Sequence, residues 1–559
     1  MWRLVQNLRV RLVLAIAILA PVLVAQETVH IQVDAAKIQG PFAPVWAYFG
    51  ADEPNYSYAP HGRELVAELA RLSPAPVQIR VHNLLTTGDG TAALKWGSTN
   101  AYTEDASGKP VYDWTIVDRI FDTYLGTGAK PFVEVGFMPQ VLSVHPEPYR
   151  HRWPNGDLFT GWAYPPRDYA KWAELVNQWV LHCMARYGQG EVQSWLWELW
   201  NEPDIGYWKG TPAEYDKLYD YTVDAIRRAL PTAKVGGPAT TGPGGKDAAE
   251  FLRQFLEHCA TGKNFVSGEP GAPLDFITFH AKGWPQVVDG QVHMGMANQL
   301  RDVDEGLAIV ASFPKFARLP VVLSESDPEG CAACSARTHP QNTYRNGTLY
   351  PAYTAAAIHS ILELNQKRGT NLVGILTWAF EFEDQPYFDG FRTLATNGID
   401  KPILNLFRML GLMQGQRVEV ISTGAGSLEK MLEAGIGREP DINALAARSD
   451  HGMTILVWNY HDDDVSARAA DVDVEIARLP NAAHRILVRH YRIDHDHSNA
   501  YTLWKDVGSP QTPTPEQYSR LKQAGQLQLL ESPRWVANSK VNLRFALPRH
   551  GVSLIELSW

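Results

Sequence analysis

One pattern narrows the choice of fold more than any other: two kinds of segment alternate without a break from residue 45 to residue 413. Short apolar runs rich in β-branched and aromatic residues begin at Val45 (VWAYFG), Pro76 (PVQIRV), Pro131 (PFVEVGF) and Trp195 (WLWELW). They continue at Ala233 (AKVGGPA), Asp275 (DFITFH), Pro320 (PVVLSE) and Val373 (VGILTWAF). Between them lie stretches with helical periodicity, for instance 168–187, 212–230, 248–259 and 350–367, and the series ends with one near 402–413. A helix that follows a strand carries the chain back to the edge from which it started, so successive strands run parallel. Eight such units predict an α/β fold, a closed (β/α)8 TIM barrel over 45–415. The connections 138–167 and 326–349 are long, and in this fold the loops after the strands build the active face.

From residue 416 the pattern changes to short alternating runs such as MTILVWNYH, VDVEIARL, HRILVRHYRI and VSLIELSW. A period of two reads as antiparallel strands with one buried face. The segment TVHIQVDAA near the start has the same character and no helical partner. The expectation is an accessory antiparallel β-sandwich from 416–559, joined by a strand from 26–44. Residues 1–25 read as a signal peptide: Arg3, Arg9 and Arg11 precede an apolar stretch from Leu12 to Ala20, with a cleavage site at Ala25. The protein is therefore expected to be exported, periplasmic or extracellular, with no membrane attachment after signal removal.

Composition excludes one class of partner. The net charge is −10 and no long run of Lys or Arg is present, whereas nucleic acid demands clustered cations. The 18 Trp and 22 Tyr exceed what a core requires, and flat aromatic faces suit the C–H faces of sugar rings. With only 4 Cys, zinc is disfavoured, since CAAC (Cys331, Cys334) supplies one pair and no second pair stands out. A local disulfide is the plainer reading in an exported chain. No metal or other cofactor is expected.

The barrel rule sorts the carboxylates. Glu198 lies inside the fourth strand and points into the packed interior, where Arg80 and Glu134 are expected to form an ion network with it. Glu202, in WELWNEPD, lies past the strand end, and Pro203 is expected to stop the ladder and to hold Glu202 in extended backbone. Glu325 ends the seventh strand, across the barrel from the fourth. Two carboxyl groups about 5–5.5 Å apart are what a retaining double displacement at a glycosidic carbon requires. Both being present, an enzyme is expected rather than a non-catalytic carbohydrate-binding protein. Glu383 and Asp384, beyond the eighth strand, bind hydroxyls or face solvent, and the pocket is the reading taken for Glu383.

WNEP on strand four with a strand-seven Glu resembles the clan A glycoside hydrolases. With PFVEVGFMP, DFITFHAKG, LNLFRMLGLM and DHSNAYTLWKDVGSPQTPTPEQY, the mature chain resembles family 39. That resemblance implies a retaining enzyme whose barrel carries a β-sandwich, with β-xylosidases and α-L-iduronidases as its two branches. It implies Glu202 as acid/base, Glu325 as nucleophile and Asn201 as partner of the sugar 2-hydroxyl. His82 and His280 match substrate contacts, although a structural role fits each equally well, and Trp378 matches the floor of the sugar subsite. Lys282 stands where many relatives have a Tyr that bonds the nucleophile, and Arg392 resembles an Arg that holds a uronate. Those two cations either hold a substrate carboxylate or pair with Glu325, Glu383 or Asp384. The expected substrate is a β-D-xyloside cleaved from the chain end, with an α-L-iduronide or an arabinoside as the alternative. The sandwich is expected to pack on the barrel. The Pro-rich, aromatic segment at 495–520 has homo-oligomer contacts as an alternative role.

Overall fold

Eight parallel strands close on themselves in a computed structural model of the protein, which describes residues 27–559 apart from 154, 155, 160, 379, 438, 481–484 and 538–540. The signal-peptide reading at 1–25 lies outside the described residues. The strands are β1 (Tyr48–Ala51), β2 (Gln78–Val81), β3 (Lys130–Val135), β4 (Leu196–Leu199), β5 (Lys234–Thr240), β6 (Phe276–Lys282), β7 (Pro320–Asp327) and β8 (Asn371–Trp378). Each pairs in parallel with its sequence neighbour, and β8 returns to β1, so no edge is left open. The local signals are ordinary ones. Thr211 and Glu214 form a capping box ahead of helix Pro212–Ala229, and Asp168 caps helix Tyr169–Tyr187.

Inside the barrel, Arg80 takes the centre. Its Nε lies 2.5 Å from Glu198 and its Nη2 lies 2.9 Å from Glu134, and all three side chains are fully buried. Removing one member would leave an uncompensated buried charge, which typically costs ~3–5 kcal/mol.

The accessory domain is one continuous ten-stranded sheet, mostly antiparallel. Strand Val29–Pro41 lies within it, antiparallel to Gln416–Ser422 and parallel to Ala470–Ala477. One side chain in two points inward: Ile31, Val33 and Ala35 share an apolar core with Ile442, Ala444 and Ala446, and with Val472, Val474 and Ile476. Strands at both ends of the sheet feed that core, through Ile486 and Val488 and through Val541 and Leu543, so the sheet wraps over itself as a sandwich.

Its middle strands bury the other face too. Leu445, Leu456, Trp458, Tyr460 and Leu554 belong to the barrel's own core. Helix Leu349–Arg368 lies at this junction, with the His359 and Trp458 rings 5.3 Å apart and the Tyr353 and Tyr460 rings 5.7 Å apart. Being covered on both sides, the helix carries apolar residues around most of its circumference.

The 495–520 segment turns back on its own barrel instead of leaving it. Helices Ala500–Asp506 and Pro515–Ala524 bring Tyr501 and Trp504 against Phe388, at 5.5 and 5.1 Å between ring centroids. The Tyr518 hydroxyl donates to the Asn397 carbonyl at 3.0 Å. The aromatics that suggested a partner surface are thus engaged within the chain, covering the loop after β8. Among the described residues no helix is long and apolar enough to cross a membrane.

Candidate active site

A cavity of about 670 Å³ opens over the C-terminal ends of the strands, and Glu202 and Glu325 both line it. Trp200 and Glu202 have positive φ, 68° and 43°. The expectation of extended backbone at Glu202 therefore fails. Its N–H donates to the Ala239 carbonyl of β5 at 2.8 Å, and this cross-strand bond holds the tight turn that Pro203 alone would not select. Left-handed backbone at a non-glycine residue is held only by its surroundings, and here it lifts the carboxylate over the cavity.

Glu325 arrives by a different route. The β6–β7 ladder shifts register between Phe279 and His280, so that His280 stands opposite Glu325 and Lys282 opposite Asp327. Such irregularities re-aim side chains beside active sites. Oxygens of Glu202 and Glu325 and a ring nitrogen of His280 lie within 4.8 Å of one another. That approach matches the close spacing of a retaining pair and excludes the wider gap, about 6.5–9.5 Å, of an inverting one.

The two carboxylates live in unlike surroundings. Glu325 accepts from Lys282 Nζ at 2.8 Å on one oxygen, while the other lies 3.3 Å from His82 Nε2 and 3.4 Å from Arg80 Nη1. Burial would raise its pKa, but the charges of His280, Lys282 and His82 outweigh burial and hold it well below the usual carboxylate range. It is ionised, as a nucleophile must be. The Glu202 carboxylate lies 2.9 Å from His280 Nδ1, and its side chain is 16% exposed toward the cavity.

His82 is itself tuned. Burial opposes its charge, yet Glu134, Asp52 and Glu325 push its pKa up to about 10, so it stays an imidazolium at neutral pH. Its Nδ1 lies 2.8 Å from Asp52 Oδ1, and Asp52 also pairs with Lys95. Burial raises the Asp52 carboxyl, and Lys95 and His82 more than reverse that, leaving it well below the ordinary range. Asp52, His82 and Lys95 are all nearly inaccessible and close the inner end of the cavity. Sequence reasoning missed Asp52 and Lys95. Asp52 follows the last residue of β1, so the strand-end rule could have found it; Lys95 sits in a loop with no spacing signal.

Comparison with known proteins decides the kind of site this is. The model of the glycosyl hydrolases family 39 matches residues 29–541. The chain belongs to that family. It is a glycoside hydrolase, and the retaining geometry of its two carboxylates is the one general to family 39. A β-xylosidase of Geobacillus stearothermophilus is 27% identical over 477 residues, spanning 81% of this chain and 82% of its own. An α-L-iduronidase of Mus musculus is 24% identical over 579 residues, spanning 96% of this chain and 82% of its own. In structure, a monomeric β-xylosidase from Caulobacter crescentus superposes with a TM-score of 0.73 at 23% identity, covering 95% of this chain and 99% of that one.

Within this family 39 site the remaining candidates divide. Asn201 lines the cavity, with its carbonyl oxygen accepting from Arg80 Nη2 at 3.1 Å, and His82 and Lys282 line it as well. His280 does not: it is fully buried beneath the two carboxylates and holds Glu202 instead of reaching a ligand. Trp378 is 1% exposed and absent from the cavity wall. Its ring lies 4.5 Å from that of His82 and under the Arg80 guanidinium at 5.4 Å, so it supports the floor from below. Gly50 makes room for it, because a Cβ there would come within 2.6 Å of the Trp378 ring.

Glu383 is elsewhere. Its carboxylate accepts from the His61 N–H at 2.7 Å, in the first turn of helix Pro60–Leu69, and Asp384 is exposed. Arg392 is fully buried, 2.5 Å from Asp327 and 2.7 Å from Glu329, and does not line the cavity. Cys331 and Cys334 form a disulfide in the loop after β7, and Cys331 reaches the cavity rim.

Proposed function

We propose that the protein removes single β-D-xylosyl residues from the non-reducing ends of xylo-oligosaccharides, with retention at the anomeric carbon. In the first step Glu325 attacks that carbon and forms the glycosyl ester, while Glu202 gives its proton to the departing oxygen. In the second, Glu202 takes a proton from water, the water oxygen replaces Glu325, and the starting protonation is restored. Asn201, held by Arg80, meets the sugar 2-hydroxyl, and Asp52, His82 and Lys95 receive the hydroxyls at the closed inner end.

The observation that carries the choice of glycone is the pairing of the cations. β-D-Xylosides and α-L-iduronides share the arrangement of their ring hydroxyls and differ at C5, where the iduronide has a carboxylate. A carboxylate needs a free cation, ideally a bidentate Arg. Arg392 is spent on Asp327 and Glu329, and Lys282 bridges Glu325 and Asp327 at 2.8 and 3.0 Å. A bare C5 suits that balance. The α-L-iduronide reading retains two supports: Lys282 does reach the cavity, and an α-L-iduronidase is among the relatives.

Matched kcat/KM values on aryl β-D-xyloside and aryl α-L-iduronide decide between them, with the xyloside expected to lead by tenfold or more. Preference for the iduronide, abolished by Arg392→Ala, overturns the assignment. The leader-like sequence of residues 1–25 supports export, and the N-terminal residue of protein recovered from the periplasm or medium tests it.

A further inference from the structure

The cavity, at about 670 Å³, has room for more than one sugar ring, and part of its wall has no role in the chemistry above. That part is built from the loops after β5 and β6 and from the first turns of helix Met296–Ala311: Thr241 and Gly242, Trp284, and Asn298, Arg301 and Asp302. Trp284 is 63% exposed, whereas the tryptophans of the barrel core are sealed. Among the described residues no large hydrophobic side chain is more exposed than Trp284, and it stands on the wall of the substrate cavity.

The backbone that presents Trp284 is pinned from outside the barrel. The Trp284 N–H donates to the Met294 carbonyl at 3.1 Å, and the Met294 N–H donates to the Asp462 carbonyl at 2.6 Å. Asp462 belongs to the sandwich. Its carboxylate accepts from the N–H groups of Gly295 and Met296, at 2.9 and 3.2 Å, and from the Tyr460 hydroxyl at 2.7 Å. Helix Met296–Ala311 has no cap from its own N-terminal residue, Gly295, so the sandwich caps it in trans. That helix also carries Asp302 into the groove wall, where its carboxylate accepts from the N–H groups of Gly244 and Lys282, both at 3.1 Å. A Cβ at Gly242 would come within 2.1 Å of the Asp302 carboxylate, so the wall closes only around glycine. One residue of the second domain thus fixes both the platform and the polar wall beside it.

We propose that Trp284 is the stacking platform for the second sugar, the one on the leaving-group side of the bond cut, and that Asp462 is the residue that positions it. This rests on the glycosidase reading and extends it: the natural substrate is an oligosaccharide, and the sandwich contributes to its selection. A pyranose aglycone lies with its C–H face on the indole and its hydroxyls toward Asn298 and Arg301.

The test compares two substrates with one glycone, xylobiose and β-D-xylosyl fluoride, whose leaving group is a single atom and reaches no second subsite. Trp284→Ala is expected to lower kcat/KM for xylobiose at least tenfold more than for the fluoride, and Trp284→Phe to recover most of the difference. Equal losses on both substrates, or none on either, overturn the platform. Asp462→Ala is expected to move the same ratio several-fold in the same direction, with Asp462→Asn between it and wild type. A lowered melting temperature with an unchanged ratio overturns the positioning role. If the wild-type enzyme rejects both xylose substrates, the glycone assignment fails, and the same disaccharide-to-fluoride ratio on the glycone it accepts still judges Trp284.

Discussion

The two sides of the cavity hold the same functional group in opposite surroundings. On the β7 side, Glu325 is enclosed by Lys282, His82 and Arg80, with His280 Nδ1 3.8 Å away. On the β4 side, Glu202 faces the cavity from a left-handed turn, with His280 Nδ1 2.9 Å from its carboxylate. A carboxylate among cations stays ionised and can attack, whereas the one that is partly open to the cavity is the one placed to reach a departing oxygen. The lesson is that strand-end placement brings the pair together, while the count of cations around each assigns its part.

The comparison breaks hardest at the nucleophile. Glu325→Ala is expected to reduce kcat by about 10⁴-fold or more on every substrate, as loss of a covalent nucleophile does elsewhere, read with an activated aryl glycoside. Wild-type rate in that variant would remove the mechanism altogether. Glu202→Gln comes next and is selective. An alkyl or sugar leaving group is expected to lose about 10²–10⁴-fold, the range of general acid catalysis, whereas a fluoride, which departs without a proton, loses far less in the first step. A uniform loss would show that Glu202 is not the acid.

Lys282→Met sharpens the contrast without abolishing it. With one of its cations gone, the Glu325 carboxyl rises toward the ordinary range, so the acidic limb of kcat/KM against pH moves upward. The limb of wild type lies lower, and an unmoved limb would mean that Lys282 does not hold the nucleophile ionised. The smallest effect concerns stability. The His82 pKa is raised in the folded state, from 6.5 to about 10, so its contribution is complete below pH 6.5 and lost as pH climbs through 10. Glu325 has the opposite sign: its pKa is depressed, and its contribution is present above the ordinary carboxylate value and lost as pH falls. His82→Asn should therefore flatten the alkaline fall in melting temperature between those two values and, because His82 also helps to hold the Glu325 and Asp52 carboxyls low, make the acidic fall shallower as well.

Much of this was legible residue by residue. Period-two and period-3.6 patterns placed all eight barrel strands, because burial of one face is a local constraint on spacing. The strand-end rule found Glu202 and Glu325, and period two put Glu198 inside with Arg80. What was not legible is where an ionisable side chain finds its partner. The family resemblance puts Trp378 at the ligand and leaves His280 between a ligand contact and a structural role, and Arg392 between a substrate carboxylate and an ion pair, while Glu383 is read toward the pocket from its place beyond the eighth strand; the fold engages each of the four with protein.

The physical reason is a difference of range. The barrel, the sandwich and the placing of two carboxylates at strand ends over the cavity follow from spacing along the chain, since hydrophobic faces and strand ends are set by neighbours a few residues apart. The pairing of Arg392 with Asp327, of His82 with Asp52, and of Asp462 with the backbone before helix Met296–Ala311 joins residues 65, 30 and more than 160 positions apart. Those contacts exist because a buried charge or an uncapped helix end must be satisfied by whatever packing brings near, and only the tertiary structure decides what that is.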